Sequence, residues 1–142
     1  MNAHKLLNEG YRSFLKLEGT LETLRRRRDI SMTAKGCNYF LTPGRRGHSS
    51  PVEAAVEKII MTENRLYVLA GKHISICKKI REIISRIEGA EKRMFLQMRY
   101  LDMMSWNEIM SKLNIDCYEL SRLKRLTLLA VDDTEVNDYL CK

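Results

Sequence analysis

The feature that most constrains this chain is an apolar alternation held without a break from Val52 to Ile87. Val52, Val56, Ile59, Glu63, Leu66, Ala70, His73, Cys77, Ile80, Ile84 and Ile87 follow steps of four and three, the spacing that keeps one seam of an α-helix facing a partner helix. Two further rows, Ile60, Tyr67, Ile74 and Leu69, Ile76, Ile83, widen the apolar face beyond a two-stranded seam. Ser50, Pro51 and Glu53 mark the start as an N-cap serine, a first-turn proline and a glutamate three residues after the cap. A helix of this length extends on the order of 55 Å. That is too long for one compact domain of 142 residues to cover. The expectation is that an earlier helix folds back antiparallel on it and that some remaining face pairs with a second copy as a homodimer.

The earlier helix is marked by Leu7, Tyr11, Phe14, Leu17, Leu21 and Leu24, again at steps of three and four, and is expected to end around the Arg25–Arg28 run. A polar loop over about 31–50, with three of the seven glycines and Pro43, separates the two helices. Cationic side chains number 25 and acids 18, for a net charge of +7, a balance that attracts polyanions through counterion release. The excess lies in residues 1–50, with ten bases and four acids, whereas residues 131–142 carry one base and four acids. The arginine run reads as a solvated helix end favoured by the helix dipole rather than as a dedicated nucleic-acid arm.

Beyond Gly89 the pattern changes to short, separately capped helices. Met94, Met98 and Leu101 mark a helix ending near Asp102. Ser105 and Glu108 then form one capping box, and Asp116 and Glu119 a second cap-to-N3 pair eleven residues later. Leu113, Asn114 and Ile115 make the corner, with Asn114 suited to a left-handed backbone. This is helix-turn-helix spacing. On the second helix Leu120, Leu123 and Thr127 face inward. A turn of about 100° per residue sets Tyr118, Ser121, Arg122 and Arg125 outward, a mixture suited to reading base edges of double-stranded DNA in the major groove. Ser105, Asn107, Lys112 and Lys124 are candidates for phosphate contacts. Trp106 reads as a core anchor. His73 reads as a half-buried spacer, and the eight methionines, five of them from Met94 to Met110, as adaptable core filling.

The stretch RMFLQMRYLDMMSWNEIMSKLNIDCYELSRLKRLTLL resembles region 4 of bacterial sigma factors, and more closely the ArpU- and RinA-like phage transcriptional regulators. The likeness is carried by Leu96, Arg99 and Tyr100, followed by Ser105, Trp106, Glu108, Ile109, Leu113 and Ile115. Met110 departs from it, standing where those proteins usually have a small residue. The resemblance implies a prophage-encoded protein of a Gram-positive host acting on late or packaging-gene promoters, with RNA polymerase as a further partner. No segment resembles the sigma-factor regions that melt a promoter.

Four cysteines, Cys37, Cys77, Cys117 and Cys141, stand far apart with no CxxC pair. Neither a metal site nor a disulfide framework is indicated. No apolar run approaches the roughly 18 residues that span a bilayer, so no membrane contact and a bacterial cytoplasmic location are expected. No nucleophile–base grouping, phosphate loop or carboxylate pair stands out, so no enzyme and no cofactor are expected. The expected architecture is all-α: a coiled-coil-like helical hairpin over 1–89, a three-helix helix-turn-helix bundle over 90–130, and an acidic tail over 131–142. A DNA-binding transcriptional regulator is the leading reading. The alternatives are a phage packaging component resembling a small terminase subunit, whose helical hairpin builds a ring, and a coiled-coil adaptor that touches no nucleic acid.

Overall fold

The structure is a computed structural model that describes the backbone of residues 3–33 and 51–140 and the side chains of residues 3–32 and 51–132. The described chain is all-α, with a long first pair of helices followed by a three-helix bundle. The helices are α1 (Ala3–Thr33), α2 (Pro51–Arg86), α3 (Ala90–Tyr100), α4 (Trp106–Leu113) and α5 (Cys117–Leu140). Contacts divide the chain into two compact units, Met1–Phe14 with Lys72–Lys142, and Leu15–Gly71. Gly89, expected to separate hairpin from bundle, is a break between helices, with φ of 99° that suits a residue lacking Cβ.

The first unit has two apolar clusters. One joins Ala3, Leu6 and Leu7 of α1 to Ile80, Ile84 and Ile87, with Leu96 of α3 and Val131 of α5. Leu7, Ile80, Ile87, Leu96 and Val131 are all but inaccessible to solvent. Ile80 Cδ1 occupies the space beside Gly10, where a Cβ would meet it at 2.5 Å. The order of contacts, Gly10 near Ile80 and Ser13 beside His73, makes the two helices antiparallel in this unit. The second cluster is built from Phe95 and Met98 of α3, Ile109 of α4 and Leu123 of α5, with Trp106, Leu113, Ile115 and Leu120 packed around it.

In the second unit α1 and α2 also lie side by side. Arg27 donates to the Lys58 carbonyl at 2.9 Å and to the Thr62 hydroxyl, and Arg28 pairs with Glu63. Thr62 is buried with its own proton given to the Lys58 carbonyl. Apolar cover is thin here. Val52, Val56, Ile60, Met61, Tyr67 and Val68 are exposed, Tyr67 by 77%.

Two boundaries and one helix face differ from expectation. Helix α1 runs on to Thr33 instead of ending at Arg25–Arg28, because neither glycine nor proline occurs between Gly19 and Gly36. The expected loop therefore gives up residues 31–33; the rest of it, with Pro43, Arg45, Arg46 and the Ser50 cap, lies outside the described residues. The acidic segment from residue 131 is not a separate tail, since the backbone of α5 continues through it to Leu140. Helix α3 buries Phe95, Leu96 and Met98 and leaves Met94 43% exposed, so its inner face is rotated from the expected Met94–Met98–Leu101 line.

Candidate nucleic-acid interface

Three local devices fix the start of α4 and the corner between α4 and α5. The Ser105 hydroxyl accepts from Glu108 N–H at 3.3 Å, and the Glu108 carboxylate accepts from Ser105 N–H at 2.7 Å. Hydrogen bonding of the carboxylate by the Ser105 N–H, and after it by the Ser105 side chain, holds the Glu108 carboxyl below its usual pKa, since it favours the charged form. At the other end Asn114 adopts the left-handed conformation, φ 52° and ψ 48°. Its neighbour Ile115 returns an N–H to the Met110 carbonyl at 3.1 Å, satisfying a carbonyl that the helix end leaves over. Asp116 caps α5 by accepting from Glu119 N–H at 2.7 Å.

The inward side of α5 is Leu120, Leu123 and Thr127, as their spacing requires. Thr127 is fully buried with its hydroxyl donated to the Leu123 carbonyl at 2.7 Å, so a polar side chain sits in the core at little cost. Rotation by about 100° per residue then gathers Tyr118, Ser121, Arg122 and Arg125 within one arc. All four are exposed, Tyr118 by 80%. Ser121 gives its proton to the Cys117 carbonyl at 2.9 Å, which leaves its oxygen as an acceptor. Leu129, 53% exposed, continues the arc toward the C-terminus.

The expected phosphate contacts are less closely grouped. Ser105 is committed to its cap. Asn107 and Lys112 are exposed on α4, but five residues apart, which turns them roughly 140° from one another. Lys124 does not point away from the protein. Its ammonium lies 4.9 Å from the centre of the Trp106 ring, which places it by the start of α4, next in sequence to Ser105 and Asn107.

The residue whose role the sequence did not disclose is Arg99. Its guanidinium lies 4.7 Å from the ring centre of Tyr11 on α1 and 4.1 Å from that of Trp106 on α4, and it donates to the Met104 carbonyl at 2.9 Å. Met104 follows Met103, whose φ of 54° is left-handed without being glycine. Trp106 also stacks on Phe95, with ring centres 6.1 Å apart. One arginine thus ties the α3–α4 corner to two aromatic faces, and an RYLDMMSW string gives no sign of which rings meet it.

Among the described residues no grouping of three or more histidine, cysteine or acidic side chains has the arrangement of a metal site. No described helix is long and apolar enough to cross a membrane. No known protein family, curated protein or solved structure matches the chain.

Proposed function

We propose that the chain is a sequence-specific DNA-binding transcriptional regulator of phage or prophage origin, acting in the bacterial cytoplasm and contacting RNA polymerase at the promoter. One observation carries the reading. The exposed quartet Tyr118, Ser121, Arg122 and Arg125 stands on a helix whose start and preceding corner are both fixed by hydrogen bonds. A helix held that way offers two exposed arginines, the side chain that pairs bidentately with guanine.

One unit of this kind binds weakly, and the reading includes a homodimer. The exposed row Val56, Ile60, Tyr67 and Ile74 of α2 has Glu57 near its beginning and Lys78 and Arg81 beyond its end. Antiparallel pairing of two α2 helices about Tyr67 sets Ile60 against Ile74 and brings Glu57 beside Lys78 of the second copy. Parallel pairing sets like charges together.

The test is selection of bound duplexes from random DNA, followed by titration of Arg122→Ala and Arg125→Ala on the selected site. Each variant is expected to lose roughly 1–3 kcal/mol of specific binding with unchanged helical content. Equal affinity of the double variant and the parent refutes the reading face. A ring-shaped assembly in solution instead points to the packaging alternative.

A further inference from the structure

A cleft of about 610 Å³ opens between α1 and α2 within residues 15–71, with Lys16, Arg27, Lys58 and Arg65 in its lining. Its volume falls in the range of small-molecule sites. Four of the lining side chains are cationic and none is acidic. Two of the carboxylates on the same stretches are paired outside the cleft lining, Glu22 with Arg26 at 3.0 Å and Glu63 with Arg28. Arg27 is held in place by the Lys58 carbonyl and Thr62. Lys16, Lys58 and Arg65 have no carboxylate partner among the described residues. Like charges gathered in one cleft repel one another, and a polyanion seated among them removes that cost.

The hydroxyls narrow the chemistry. Thr20 gives its proton to the Lys16 carbonyl and Thr23 to the Gly19 carbonyl, both at 2.8 Å. Their oxygens are therefore left as acceptors. They suit hydroxyl donors, such as those of a sugar, and not phosphate. Met61 and Leu69 add apolar surface beside them. We infer that this cleft binds a nucleoside di- or triphosphate: phosphates among Lys58, Arg65, Lys16 and Arg27, sugar hydroxyls on Thr20 and Thr23, and the base against Met61 and Leu69.

This site is independent of the DNA-reading face. The experiment is calorimetric titration of the full chain with ADP, with adenosine as the phosphate-free control and a short DNA duplex as the competing polyanion. The parent is expected to bind one ADP per chain and adenosine at least about tenfold more weakly. Lys58→Ala/Arg65→Ala removes two exposed side chains and is expected to cost about tenfold or more in ADP affinity, the scale of losing hydrogen bonds to charged groups. Its duplex binding is expected to stay unchanged. Lys5→Ala/Lys79→Ala removes the same charge at two exposed positions outside the cleft and is expected to leave ADP binding intact. The proposal is overturned if ADP does not saturate, if it binds no better than adenosine, or if both double variants weaken it equally. It is also overturned if Lys58→Ala/Arg65→Ala lowers duplex affinity while sparing ADP, since the cleft is then a DNA backbone contact.

Discussion

Asn114 is where a single side chain decides whether α5 is aimed correctly. A left-handed backbone costs an ordinary L-residue about 1–2 kcal/mol, and asparagine tolerates it better than most. Asn114 is exposed, so Asn114→Ala is expected to lose about 1 kcal/mol in urea unfolding, while Asn114→Gly matches or exceeds the parent. A loss of the same size in both variants means that the side chain, and not the backbone, is what matters. His73 makes a second residue-level prediction. Its Nδ1 lies 3.2 Å from the Ser13 hydroxyl and its Nε2 3.4 Å from the Cys77 sulfur, with the Phe14 ring nearby. Burial lowers its pKa below the usual 6.5. The unfolded chain therefore takes up this proton first as pH falls, so stability holds above about pH 6.5 and declines as pH drops below it. Replacing His73 with glutamine is expected to flatten the pH 5–7 limb of the stability profile measured by urea unfolding. An unchanged limb assigns the pH dependence to other groups.

At the level of elements, legibility followed the range of the interaction that decides each feature. The starts of α4 and α5 and the corner between them were readable because Ser105, Glu108, Asn114, Asp116 and Glu119 act within three or four residues of their own position. The outward quartet on α5 was readable for the same reason, since helical rotation alone places it. The inner face of α3 was not. Whether Met94 or Phe95 turns inward depends on Trp106 and Ile109, which lie on another helix, and three apolar residues in a row, Met94 to Leu96, fit either rotation. The ends of α1 and α5 were misjudged because charged residues signal solvent exposure without stopping a helix; a stop needs a residue that breaks the backbone pattern. The packing makes one demand explicit. Ile109 is fully buried at the meeting of α3, α4 and α5, and Ile109→Ala is expected to cost about 2–5 kcal/mol, read as a lower midpoint in thermal or urea unfolding. A loss near zero means that the three helices do not share a core at that point.

For the whole molecule, the uneven burial along α2 sets the expected solution behaviour. Ile80, Ile84 and Ile87 are buried, whereas Val56, Ile60, Tyr67 and Val68 remain exposed, and apolar rows of that kind mark interaction surfaces. Sedimentation is expected to find a dimer that dissociates in Tyr67→Lys; a parent that stays monomeric at all concentrations removes the paired arrangement. The packing of α1 has a consequence for how the molecule is made. Leu6 and Leu7 share a core with Val131, so that core cannot close until residue 131 has left the ribosome. At 5–20 residues per second the wait is roughly 6–25 s, during which the leucines of the first helical turns have no finished partner. Maturation of the unit that carries α4 and α5 is therefore a ring-closing event between segments synthesised far apart in time, and its speed depends on how long nascent α1 is kept from other apolar surfaces.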